Sequence, residues 1–428
     1  MNSPGTTTWV PLRSRATGAL CAGTVAAYAA MYVTQPLLPL LSAEFQVAPA
    51  TAGLSVSAVV LAIAAGSFVA GPLSDAVGRK KVMVGALLLL LLPTLGCAAA
   101  RSFPGLVAMR AVQGLLSPGV TAVAVAWAGD HYAPGQLRTS VGAIIAASVA
   151  GGLLGRVASG FAAERGGWRT AFVVSAVITA AGAAGMWREL PATSPAHAPW
   201  RGAFAGMLRH LGDRRLLGGF ALAFCLFFGF IAIFTYLPYR LAAAPFRLST
   251  QAISSAYLVY VAGIAVSPMA GRLAARVAPE RLMLAGLAIS AAGVAMTLSS
   301  SLPVVMAGLL VLVVGMFTAQ AVGPAFVNEA ATQAKGGANA LYLAFYYLGG
   351  TLGSWLPGLA WERWGWPGVV ASSCAAIGAA ALAVWTLCRP VLRPVSEDSA
   401  PTRCRGRAGS RACAPRRPAG AARPGAPR

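Results

Sequence analysis

The chain has 428 residues and a formal net charge of +22, from 33 Lys and Arg against 11 Asp and Glu. Hydrophobic residues make up 57%, and 49 glycines bring the apolar share to about two-thirds, while charged residues are only 10%; soluble domains run at ~45–50% and ~25%. So few charges cannot cover the surface of a soluble protein of this length, which excludes large soluble enzyme domains and predicts an all-α integral membrane protein.

Residues 1–15 read as a cytoplasmic N-terminus and not as a cleaved signal, since the uncharged run that follows Arg13 and Arg15 is too long for the apolar core of a signal peptide. Apolar runs then predict twelve membrane helices, near 16–43, 51–72, 82–100, 103–128, 139–163, 170–187, 216–240, 248–271, 282–300, 303–327, 336–360 and 366–388, with Arg110 and Arg156 inside two of them. Each is about the length a bilayer-spanning helix needs and too long for a barrel strand. The run over 282–328 is too long for one helix, and Ser299-Ser300-Ser301-Leu302-Pro303 supplies the break. The arginine-rich segment 188–215 reads as a cytoplasmic linker between a bundle at 16–187 and a second at 216–388.

The tail, 389–428, carries ten arginines beside Glu397 and Asp398. It cannot bury a core and reads as disordered; attraction to anionic lipid, at about 1 kcal/mol per basic residue, is its functional alternative. Without the tail, 15 Lys and Arg fall on one side of the spans and six on the other. The positive-inside rule places both termini in the cytoplasm. With the tail, 25 of the 33 basic residues share that side, an arrangement that argues for a membrane and against a nucleic-acid partner. Thirty arginines against three lysines fit a GC-rich bacterial genome, hence a bacterial cytoplasmic membrane.

The two bundles repeat. Residues 151–168 align with 349–366 at an offset of 198, with ten of 18 positions identical and a shared Glu-Arg-x-Gly-Trp ending. Gly71 through Met83 echoes Gly271 through Met283 at an offset of 200. Such offsets predict two pseudo-symmetric six-helix halves, an arrangement suited to a transporter that rocks one half against the other.

Gly71-Pro72-Leu73-Ser74-Asp75-Ala76-Val77-Gly78-Arg79-Lys80-Lys81 resembles the loop 2–3 signature of the major facilitator superfamily, G-x-L-x-D-x-x-G-R-[RK]-[RK], at every signature position. Arg110-Ala111-Val112-Gln113-Gly114 resembles the helix 4 motif of that family, R-x-x-Q-G. Gly142, Gly151, Gly155 and Gly160 match the glycines of the helix 5 motif of its drug:proton antiporter branch, although Arg156 replaces the proline and Ser159 a glycine. Tyr32-Val33-Thr34-Gln35-Pro36 also looks like that branch. The resemblance covers about residues 16–388. It implies a twelve-helix fold and alternating access, with the cytoplasmic cluster of Gly71, Asp75, Gly78, Arg79 and Lys80 latching the outward-facing state, joined by Asp130.

Read by themselves, Gly71 and Gly78 permit close approach and a tight turn, and Asp75 can pair with Arg79 one turn on. Arg110 is expensive in a membrane, about 2.5–3.5 kcal/mol at mid-bilayer. It either contacts substrate or couples protonation, or is satisfied by carbonyls of a neighbouring helix, with Gln113 on the same face. Arg156 either snorkels to the interface or places a cation in the cavity that favours anionic substrates. Gly151, Gly155, Gly349 and Gly353 have the small-xxx-small spacing of tightly packed helices. Tyr32, Gln35, Tyr236, Gln320 and Tyr346 are further cavity candidates.

No Asp or Glu falls in the middle third of a span, so proton coupling lacks the usual embedded carboxylate. No phosphate-cradling loop or nucleophile elbow is present, and neither a cofactor, a metal site nor an enzymatic activity is expected. The leading expectation is a monomeric secondary transporter that exports small amphipathic, drug-like compounds by proton antiport. Uptake or uniport of a small anionic metabolite is the alternative. A transport-inactive membrane sensor or scaffold acting through the basic tail is the third; deletion of 389–428 separates it from the other two.

Overall fold

The computed structural model describes residues 10–191, 208–274, 276–333 and 335–388, with the side chains of Arg138 and Leu208 left out. The middle of the linker, Ala275 and the basic tail lie outside the described residues.

Twelve helices run through them. α1 covers Arg15–Phe45, α2 Pro49–Val77, α3 Arg79–Ala98 and α4 Phe103–His131. The stretch Pro134–Glu189 leaves helical geometry at Gly166 and Gly167, the latter at φ 76°, and so divides into α5 (134–165) and α6 (168–189). α7 is Arg214–Ala242, α8 Thr250–Leu273, α9 Pro279–Met296 and α10 Leu302–Ala330. α11 is Lys335–Trp364 and α12 Trp366–Cys388. The face from which α1 enters, bearing Arg13, Arg15, Arg79, Lys80 and Lys81, is called the basic face below.

Local chemistry sets most of these boundaries. Ser14, Ser102 and Ser249 accept hydrogen bonds from backbone N–H groups of the turns they begin, and Asp213 accepts from Arg215 and Leu216. Each satisfies donors that a helix start leaves open. Proline stands in the first turn of α2, α4, α5, α9, α10 and α12, where its missing N–H is harmless. α2 departs from the sequence reading at the motif. It continues through Pro72 to Val77 rather than stopping near 72, so the motif segment is helical up to Gly78. A helix satisfies its own backbone and need not stop where its apolar run does; here it stops where Gly78 adopts φ 105°, a region open to glycine.

The internal repeat is visible in the packing. A Cβ on Gly151 or Gly155 would collide with the Val25 or Ala29 carbonyl of α1, and one on Gly349 or Gly353 with the Phe224 or Phe228 carbonyl of α7. The glycines are related by 198 residues and the carbonyls by 199. Helix pair α1–α5 and helix pair α7–α11 are thus the same close crossing made twice, as the small-residue spacing implies.

Candidate functional site

On the face opposite the basic one, the two halves meet along two seams. In the first, α2 lies against α11. Ser57 Oγ is 2.6 Å from Ser354 Oγ and donates to the Thr351 carbonyl at 2.9 Å. Gly53 faces the Ser354 carbonyl so closely that a Cβ there would clash with backbone. Tyr236 fills the space that Gly53 and Gly358 leave, its hydroxyl donating to the Ser354 carbonyl at 2.9 Å. The sequence reading put Tyr236 in the cavity. The structure puts it in this seam, fully buried, because two glycines make room for its hydroxyl.

The second seam joins α5 to α8 and holds Arg156. Its guanidinium carbon lies 3.8 Å from the ring centre of Tyr32, 4.7 Å from that of Tyr260 and 5.4 Å from that of Tyr257. Nε donates to Gln35 Oε1 and Nη1 to the Gly152 carbonyl, each at 2.7 Å. Arg156 is only 2% exposed, so the snorkelling expectation is corrected: aromatic faces and two neutral acceptors hold it inside. Each ring contributes about 0.5–2 kcal/mol, more as the cation is desolvated. Gln35 lies in this box too, its Nε2 3.5 Å from Thr235 Oγ1. Gly160 belongs to the same seam, against the Ser254 side chain.

Both seams end alike. Glu362 Oε1 accepts from the N–H of Ala50 at 3.4 Å, and Glu164 Oε2 from that of Gln251 at 3.3 Å. Each glutamate, from the repeated Glu-Arg-x-Gly-Trp ending, meets the N-terminal turn of a helix in the other half, where the helix dipole favours negative charge.

Arg110 has a different setting. It is completely buried and donates to the Ser55 carbonyl at 3.2 Å, the Ala30 carbonyl at 2.8 Å, Gln113 Oε1 at 2.6 Å and the Met31 carbonyl. Gln113 passes the chain on to Thr94 Oγ1 at 2.7 Å. Every guanidinium nitrogen is engaged, and hydrogen bonds to a charged group are worth about 1.5–3 kcal/mol each, enough to offset the insertion cost. In this conformation Arg110 and Gln113 tie α1, α2, α3 and α4 together and do not line a cavity, the outcome in which carbonyls satisfy the arginine.

Gln320 and Tyr346 do come together in the second half. Gln320 Nε2 donates to Tyr346 Oη at 3.0 Å, and the Tyr346 ring stacks on Phe227 at 3.8 Å between centres. Gln320 Oε1 has no partner, nor does the hydroxyl of nearby Tyr342.

At the basic face, Asp75 pairs with Arg79 at 3.2 Å, Arg79 also pairs with Asp130, and Lys80 donates to the Leu190 carbonyl. These bonds all stay within the first half. A Cβ on Gly71 would meet open space, and Leu73 and Val77 are exposed, so the close approach expected at Gly71 is not made in this conformation. Gly142 also faces open space, unlike its motif companions Gly151, Gly155 and Gly160.

Sequence reasoning missed Tyr257, Tyr260 and Ser57. A signal was available for the tyrosines: spaced three apart, they share a face of the eighth span. Ser57 is one small polar residue among many and offered none.

A family model described as the Major Facilitator Superfamily matches residues 20–259 and 241–417. The chain is 36% identical over 362 residues to the inner membrane transport protein YnfM of Escherichia coli (strain K12), covering 84% of this chain and 87% of that one. It is 30% identical to the MFS-type transporter YybF of Bacillus subtilis (strain 168), covering 84% and 90%. Among solved structures, a D-xylose-proton symporter matches with a TM-score of 0.72 at 16% identity, over 87% of this chain and 97% of that one. The nucleoside transporter NupG matches at 0.74 and 12% identity, over 87% and 100%. Both likenesses are of fold.

Proposed function

The chain belongs to the Major Facilitator Superfamily and is a multi-pass membrane transporter, and on that premise we propose that it works by alternating access between the half made of α1–α6 and the half made of α7–α12. One observation carries this reading: hydrogen bonds cross between the halves at the face opposite the basic one, while the ion pairs of Asp75, Arg79 and Asp130 at the basic face lie, among the described residues, within the first half. This is the arrangement of a carrier closed on one side with the latch of the other released. The basic face is assigned to the cytoplasm on the Lys and Arg distribution, in keeping with the inner-membrane name of the Escherichia coli relative. Asp75, Arg79 and Asp130 then form the latch of the outward-facing state, free here to pair with one another.

For the cargo, the reading is export of small amphipathic compounds by proton antiport. The helix 5 glycines and the aromatic centre around Phe227 and Tyr346 support it. No carboxylate lies mid-membrane among the described residues, so Asp75 and Asp130 are the groups assigned to proton exchange as the latch opens and closes. Arg156, a buried cation without a carboxylate beside it, favours a second reading, uptake or uniport of a small anionic metabolite.

A growth-inhibition panel in an efflux-deficient bacterial host tests the proposal, comparing the intact chain with Asp75→Asn at equal membrane abundance. Resistance to some compounds, lost in Asp75→Asn, is the expected result. Unchanged resistance in Asp75→Asn overturns the latch, and heightened sensitivity to the compounds selects uptake.

A further inference from the structure

Arg156 is held in a way that leaves its charge unanswered. Among the described residues the ion pairs are Arg79 with Asp75 and Asp130, and Arg169 with Glu44; Arg156 is in none of them. A guanidinium does not lose its proton in a protein, so a full positive charge sits inside the membrane against neutral groups. Two of its three aromatic faces, Tyr257 and Tyr260, belong to the other half of the molecule. The hydroxyl of Tyr260 is itself buried without a hydrogen-bond partner, on a side chain only 5% exposed. A buried cation and an unpaired donor thus lie together at the seam that must part when the carrier opens outward.

We propose that Arg156, with the Tyr260 hydroxyl, binds an anionic group of the transported compound, a carboxylate on an otherwise apolar molecule. The inference rests on the transporter reading and names the substrate class of that same site. Its physics is an exchange of partners. A planar guanidinium matches a carboxylate with two parallel hydrogen bonds, which a tyrosine face cannot offer. When α8 withdraws from α5, Arg156 loses two aromatic faces and keeps Tyr32, Gln35 and the Gly152 carbonyl. A carboxylate arriving there replaces the lost faces, and one leaving lets the box re-form. The hydroxyl of Tyr260 supplies a further donor during closure. Neutral and cationic congeners lack the charge that makes the exchange favourable.

Three probes with the same apolar body separate these cases: 4-phenylbutyrate, its primary amide, and 4-phenylbutylamine. Binding is measured on the purified full-length chain in lipid nanodiscs, by shift of the unfolding midpoint against ligand concentration. The acid is expected to bind the wild-type chain at least tenfold more tightly than the amide or the amine. Arg156→Gln is expected to lose that preference, Arg156→Lys to keep part of it, and Tyr260→Phe, which removes only a hydroxyl, to weaken acid binding severalfold with the unliganded midpoint unchanged. Equal binding of acid and amine, or undiminished acid binding in Arg156→Gln, overturns the proposal. If the acid does not bind while the wild-type chain still confers resistance in the growth panel, this inference falls and the transporter reading stands. If the chain neither binds the acid nor changes sensitivity to any compound, both fall.

Discussion

The α2–α11 seam and the α5–α8 seam occupy equivalent places in a repeated structure, yet they are closed by different chemistry. In the first, glycine and serine bring two backbones together, and Ser354 stands where the other half has Arg156. In the second, a cation is packed among tyrosines from both halves. Their outer ends remain alike, each with a glutamate on the N-terminal turn of the opposite half. Pseudo-symmetry therefore fixes where the seams lie, while the residues that break it decide what each seam does. The first has the features of a plain closure. The second has those of a closure that a ligand can enter.

Substitutions at the first seam test that division. Gly53→Val has the largest expected effect. Its Cβ would meet the Ser354 carbonyl, which cannot swing aside as a flexible side chain can, and overpacking of this kind costs about 1–3 kcal/mol. The closed population is expected to fall about tenfold or more, read as faster labelling of a cysteine at this seam by a membrane-impermeant thiol reagent. Gly142→Val, in open space, is the matched control and is expected to leave labelling unchanged. Ser57→Ala is expected to act in the same direction, by about 1 kcal/mol for each of the two hydrogen bonds its hydroxyl makes. Glu362→Gln and Glu164→Gln should have the smallest effects, at most about 1 kcal/mol each for a partly exposed helix-end interaction, and roughly equal ones. A large difference between the two glutamates would show that the outer ends are not equivalent after all.

The fold was largely legible because the bilayer restricts the vocabulary. Uncharged runs of about twenty residues have to become helices, and the offset of 198 between Gly151 and Gly349 identified a crossing that the structure makes twice. The functional centre was only partly legible. Arg156 stood out as a charge in an apolar run, but its depth in the span left it free to snorkel; Tyr257 and Tyr260, from the other half, keep it inside. Arg110 carried the same sequence signal and is tied to helix carbonyls instead. A lone arginine in a span announces a cost without saying how that cost is met, since three of the four acceptors of Arg110 are backbone atoms, which every residue has. Tyr236 misled for a related reason: only the glycines opposite it, at 53 and 358, disclose that it packs within a seam.

In alternating access the seams must part for cargo to cross. With the native cysteines replaced, Ser57→Cys and Ser354→Cys place two thiols where the present hydroxyls are 2.6 Å apart. The measurement is resistance, or uptake of a compound found in the panel, before oxidation, after disulfide formation and after reduction. The crosslink is expected to abolish transport and reduction to restore it. Full transport by the crosslinked chain would contradict alternating access.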